Sequence, residues 1–179
     1  MDWTEVVWTE AWQVTGLQGW PRRHGDEASP AHFFQALRDA GEDVDAVRFL
    51  ASALPRFRSV EWLRAVIARL APDADAPTLA LIDAWLREPT DRTRRDAFET
   101  SLPLAAEDPA KICAAALLFS GGSLAPLAAP SIPPPKTGTG QLVAGGVLHC
   151  AYATATPDVA LSVALDLGVS IAVKPVDKP

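Results

Sequence analysis

Proline and glycine in this chain fall between periodic apolar segments, and this punctuation constrains the fold more than any other feature of the sequence. In "SPAHFFQALRDAG", Ser29 is placed to cap a helix, Pro30 to open it and Gly41 to stop it, with Phe33, Phe34 and Leu37 on one face. "EDVDAVRFLASALP" follows with Val44, Val47, Leu50, Ala51 and Leu54 at helical spacing before Pro55. "SVEWLRAVIARLAP" turns Val60, Leu63, Ile67 and Leu70 inward, and "PTLALIDAWLREP" does the same with Leu79, Ile82, Trp85 and Leu86. In "TDRTRRDAFET", Thr90 is a candidate cap and Ala97 and Phe98 are the clear core residues, so this helix is expected to be largely exposed. "DPAKICAAALLFSGG" opens with Asp108 and Pro109 and closes at Gly121 and Gly122.

A proline-rich connector follows, then helices over about Gly140 to Thr154 and about Pro157 to Leu167, the second ended by Gly168. Thr137 or Thr139 would cap the first of these. Sustained period-two alternation is missing, although "EVVWTEAW" and "VSIAVKPV" are each long enough for a short strand. The expected fold is all-α: a single-domain bundle of seven to nine helices with little or no sheet. Its parts are a tryptophan-rich arm over 1–28, a helical domain over 29–174 with an internal connector at 126–138, and a short tail over 175–179.

At 179 residues the chain is one domain by length, able to bury roughly 70% of its unfolded surface without a disulfide or metal. A net charge of −6 argues against a nucleic-acid partner, which needs a concentrated positive field. Cys113 and Cys150 form no C-x-x-C and sit on apolar stretches, as reduced core cysteines do. "MDWTEVVWTEAW" has no basic n-region, so a cytoplasmic protein is expected. "PAKICAAALLFSGG" and "QLVAGGVLHCAYATA" are too short for the ~18 to 20 apolar residues of a membrane span and read as core helices.

Four groups of residues invite a chemical reading. "PPPKTGTGQLVAGG", residues 133 to 146, resembles a phosphate loop, but aligning Gly140 with the last loop glycine puts Pro135, Gln141 and Leu142 where Gly, Lys and Ser/Thr are needed. It reads as a connector and a helix start. His24, Asp26, Glu27 and His32 lie close in sequence with no metal-ligand spacing, so no metal or cofactor is expected. Ser120 and Ser123 flank two glycines after a helix, whereas a nucleophile elbow lies between a strand and a helix. They read as turn residues. Arg87, Arg92, Arg94 and Arg95 interleave with acids and are expected to form a salt-bridged, solvated face.

The tryptophans are more informative. Trp3, Trp8, Trp12 and Trp20 are four of the six in the chain, and they are either an arm packed on the bundle or an aromatic docking surface. In either case Trp8 and Trp12 are expected on one helix face. Pro133, Pro134 and Pro135 close a stiff segment, residues 126 to 135, that either joins two core helices or offers an edge to a partner.

From about Leu50 to Gly168, the run Ala53-Leu54-Pro55, the Trp85, Glu88, Pro89 and Thr90 turn with arginines after it, and Phe119 through Pro126 followed by polyproline resemble a family of uncharacterised bacterial proteins, chiefly proteobacterial. One tryptophan, Trp62, stands where the family pattern has a pair, and the first 28 residues lie outside the pattern. The resemblance implies an accessory protein of type VI secretion gene neighbourhoods, an adaptor, chaperone or scaffold whose partner is a secretion-apparatus component or effector. The expected function is therefore a non-enzymatic interaction module. The alternatives are a small hydrolase or transferase using the His24 to His32 region or the SGGS turn, and a self-associating structural bundle.

Overall fold

A computed structural model describes residues 3–126 and 128–173. Nine helices occur among them: α1 (Ala11–Leu17), α2 (Pro30–Asp39), α3 (Asp43–Ala53), α4 (Arg56–Leu70), α5 (Ala76–Arg87), α6 (Asp91–Ser101), α7 (Pro109–Phe119), α8 (Gly138–Tyr152) and α9 (Pro157–Ala172). The described residues contain no strand. The tail over 175–179 lies outside them.

The punctuation works through the orphan N–H groups at helix starts and the reversal of backbone hand at helix ends. Ser29 accepts from His32 N, Thr90 from Thr93 N and Asp108 from Ala110 N, each opening the helix its position announced. Asp75 does the same for α5, accepting from Thr78 N at 2.8 Å. Gly41 stops α2 with φ +73, a left-handed conformation that costs a side-chain-bearing residue steric energy.

Helices α4 and α8 form the centre of the bundle. Helix α8 packs on α3, α4, α7 and α9, and α4 packs on α7, α8 and α9. Helices α5, α6 and α7 form one flank, and α1, α2 and α3 the other. Trp62, Phe49, Leu50, Leu63, Ile67, Ile82, Leu117 and Leu165 are fully buried between them. Burial of each such side chain contributes ~1.5 to 3 kcal/mol, which is what holds helices of weak individual stability together. The two apolar segments weighed as membrane spans are α7 and α8 of this core, and no helix among the described residues is long and apolar enough to cross a membrane.

Several expectations are corrected. Helix α9 runs through Gly168 to Ala172 instead of stopping there. Gly168 is a seat: a Cβ at this position would lie 2.6 Å from Leu50 Cδ2 and 2.7 Å from Trp62 Cε2. The Trp62 indole N–H donates to Ala164 O at 2.7 Å one turn earlier, so the ring comes up against α9 where residue 168 has no side chain to meet it. The same helix takes up residues 169–172 of the "VSIAVKPV" strand candidate and is capped by Val173, while residues 174–176 lie outside the described residues. "EVVWTEAW" finds no partner strand. It hooks onto the end of α9 through Glu5 N to Ala172 O at 3.0 Å and then enters α1.

Helix α8 starts at Gly138 with Thr137 in the N-cap position, the earlier of the two caps that the sequence offers. Gly140 lets it approach α3, where a Cβ would lie 3.1 Å from Ala51 O, and Gly146 makes room for Leu63 and Ile112. Helix α6 is not largely exposed: Arg94, Ala97 and Ser101 are buried between its neighbours.

Glycine 145 and glycine 168 are both helical, but a Cβ at Gly145 meets nothing within 4 Å. Gly145→Ala is therefore expected to stabilise the protein by ~0.5 to 1 kcal/mol through helix propensity. Gly168→Ala is expected to destabilise it by ~1 to 3 kcal/mol through overpacking against Trp62 and Leu50. Urea unfolding midpoints of the two variants should move in opposite directions.

Candidate functional site

The S-G-G-S turn is built by two arginines from α6. Helix α7 ends at Phe119 and leaves carbonyls without helical donors. The Arg94 guanidinium, 3% exposed, donates from Nη1 to Leu118 O at 2.5 Å and from Nη2 to Ser123 O at 3.1 Å. Its positive charge also complements the negative end of the α7 dipole. Arg95 Nη2 donates to the same Ser123 carbonyl at 2.9 Å.

Asp91 holds both arginines, accepting from Arg94 Nη2 on Oδ1 at 2.5 Å and from Arg95 Nε on Oδ2 at 2.8 Å. Its bonds to Arg94 and then Arg95 hold the Asp91 carboxyl below the usual carboxylate range. Gly122 completes the clasp. Its φ of +62 is left-handed, and a Cβ there would lie 2.6 Å from Arg94 Nη2 and 2.7 Å from Asp91 Oδ1. The expected solvated arginine face is thus corrected for two of its members. Arg92, 89% exposed beside Asp96, fits that expectation, whereas Arg94 and Arg95 are internal braces for a loop remote in sequence.

The clasp presents a loop. Ser123 Oγ accepts from Ala125 N at 3.1 Å and from Ile132 N at 3.0 Å, and Leu124 N donates to Ile132 O at 2.8 Å. The loop ends therefore meet. Ile132 is 57% exposed although both its backbone polar groups are bonded. Pro133 and Pro135 beyond it are exposed and Pro134 is half-buried. Arg94, Asp91 and Ser123 together build this closure, and the sequence does not announce it, since the carbonyls that Arg94 serves are not visible there.

The tryptophans divide by environment. Trp3 lies 5.1 Å from the Phe34 ring, Trp8 is half-buried on the core, and Arg23 lies over the Trp20 ring at 5.2 Å. Trp12 is 40% exposed, with its indole bonded to Glu10 and Arg22 over the ring at 5.3 Å. Trp8 precedes α1 and Trp12 lies in it, so the expected common helix face does not form. The arm is tied down by fully buried Ala11 and Val14 and by the buried Glu5 carboxylate, 2.9 Å from Arg58 Nε.

A cleft of about 330 Å³ separates Trp20 and Gln18 from Gln141 and Gly145 on α8. It shares Ser52 and Gly140 with a smaller cavity beside Lys136. The end of the arm and the end of the connector thus border neighbouring depressions at the start of α8, while the clasped loop stands at the C-terminus of α7.

The other candidates come out as follows. Ser120 Oγ donates to Leu117 O at 2.7 Å, and among the described residues no histidine bonds Ser120 or Ser123. His24 and His32 border one cleft with Glu42, while Asp26 is buried and bonded to Arg22 and Arg23. No group of three or more His, Cys, Asp or Glu able to hold a metal occurs among the described residues. Cys113 and Cys150 are free and buried, and burial pushes their thiols up to about 12 and about 11, far from reactive thiolates.

Arg94→Lys is expected to destabilise the protein by roughly 2 kcal/mol or more, because a lysine cannot serve Leu118 O, Ser123 O and Asp91 together. Arg92→Lys is expected to stay within about 0.5 kcal/mol. Thermal unfolding of the two variants side by side checks this contrast.

No curated protein and no solved structure matches the chain. A family profile does match, over residues 33–172. That span runs from within α2 to the last residue of α9 and takes in the arginine clasp, the proline loop and the whole of α8, while leaving out the tryptophan arm. By that match the chain belongs to DUF6931, a family of unknown function.

Proposed function

We propose that this protein is a non-enzymatic interaction module that docks a protein partner on the clasped loop, with the tryptophan arm as a second contact. The observation that carries this reading is Ile132. A large apolar side chain is left in water on a backbone fixed by Ser123 and braced by Arg94 and Arg95. Folding gains little from that exposed side chain, whereas binding gains from it twice. The apolar surface is available to a partner, and the ordering entropy of the backbone at Ile132 is already met in the free protein. The prolines at 133, 134 and 135 extend the same edge with a restricted backbone.

On the arm, Trp12 offers the aromatic surface, and Trp3, Trp8 and Trp20 hold the arm in place. The resemblance of the SGGSLAP and polyproline run to bacterial proteins of type VI secretion neighbourhoods supports an accessory, adaptor or chaperone-like role there. The partner is then a component of the apparatus or one of its effectors, and the compartment is the cytoplasm.

The test is affinity capture from the native cell with mass spectrometry, using the wild-type protein, Ile132→Glu and Trp12→Ala. Ile132→Glu is expected to lose the captured partner while its melting temperature stays within a degree or two, since an exposed loop substitution changes stability by about 0.5 kcal/mol or less. Loss of a hot spot costs ~2 kcal/mol or more of binding, roughly thirtyfold in affinity. An unchanged capture profile for both variants contradicts the proposal. A profile containing only further copies of the chain supports a self-associating bundle instead.

A further inference from the structure

We propose that the small cavity at the start of α8 binds a phosphate group, and that the "KTGTG" run, which fails as a nucleotide loop, serves as an oxyanion site of another design. Four independent observations converge on it. First, α8 is a 15-residue helix whose Ncap residue, Thr137, makes no side-chain cap bond. Gly138 N is taken by Pro135 O and Gln141 N by Thr137 O, while the N–H groups of Thr139 and Gly140 have no acceptor among the described residues. The positive end of the helix dipole is therefore open.

Second, Thr139 is 1% exposed, lines the cavity, and its Oγ1 is buried without a hydrogen-bond partner. A buried hydroxyl left unpaired costs ~1 to 3 kcal/mol. Such a group points to something that completes it.

Third, the first turn of α4 reaches the same cavity and brings Arg56. Its guanidinium makes only long contacts, 3.5 Å each to Ser120 O and Lys136 O. Lys136 lies at the cavity as well. In a chain of net charge −6, whose arginines are mostly engaged by carboxylates, neither Arg56 nor Lys136 has an acidic partner among the described residues. Fourth, no carboxylate lines the cavity. An anion entering it meets two cations, open N–H groups and a spare hydroxyl, with nothing of its own sign.

The size of the cavity selects the ligand. Its volume of about 40 Å³ suits one tetrahedral oxyanion and is far below the ~300 Å³ of sites that enclose a whole drug-sized ligand. Arginine supplies planar paired donors and lysine a point charge, and the two together match a phosphate better than either alone. The shared chemistry is a phosphate group, either free or at the end of a small monoester.

The experiment is an amide NMR titration of the full chain with inorganic phosphate, and separately with glycerol phosphate, at constant ionic strength set by chloride. Saturable shifts centred on the Thr139 and Gly140 amides are expected. Tighter binding of phosphate assigns the free ion, and tighter binding of glycerol phosphate assigns a monoester end. Thr139→Val preserves shape and removes only the unpaired hydroxyl. It is expected to weaken binding about tenfold while leaving the melting temperature without phosphate unchanged or higher. Arg56→Gln is expected to abolish saturation. Shifts that grow linearly without saturating in the wild-type protein, or equal affinity in Thr139→Val, overturn the proposal.

Discussion

The bonds of the Arg94 guanidinium decide how this chain turns from its first seven helices to its last two. A helix that ends inside a protein must find donors for its final carbonyls, and α7 finds them in a side chain from α6. The same guanidinium reaches Ser123 and is held by Asp91, so one charge joins the end of α7, the glycine turn and the start of α6. Gly122 is the counterpart of that arrangement, because the cation occupies the space that a side chain would need.

The start of the connector takes its position from the clasp. With Ser123 fixed, its hydroxyl can close the loop on Ile132, and the prolines then carry the chain to the first turn of α8. From there, packing takes over. Gly140 and Gly146 bring α8 close to α3 and α4, and Gly168 lets the Trp62 ring lie on α9. The polar clasp thus holds the chain where it leaves α7, and small residues determine how closely α8 fits. The exposed Ile132 and the open α8 N-terminus are consequences of that layout, and both proposed binding features lie along the connector between α7 and α8.

The helices were legible because their signals are local. Ser29 with Pro30 and Asp108 with Pro109 act within a few residues of themselves, so their sequence pattern suffices to read them. Gly168 was misread for the opposite reason. As a local signal it resembles a stop, and only the arrival of Trp62, more than a hundred positions earlier, makes it an interior seat. Arg94 shows the same limit at the candidate site. Beside Asp91 and Asp96 it resembles a surface charge, while its decisive partners, Leu118 O and Ser123 O, are backbone atoms whose need for a donor arises only when α6 meets α7. The tryptophan arm was legible as a unit, but the division between the exposed Trp12 and the half-buried Trp3, Trp8 and Trp20 depends on where Phe34 and Arg23 come to lie.

The central claim is that a buried arginine holds the two ends of an exposed loop together. Amide hydrogen exchange of Ala125, Leu124 and Ile132 tests it directly, because the N–H of each is bonded only within the closure that Arg94 braces. The account predicts measurable protection of these three amides in the wild-type protein, lost in Arg94→Lys while the amides of α3 and α4 stay protected. Exchange of the three at the rate of free peptide in the wild-type protein, or equal protection in the variant, would contradict it.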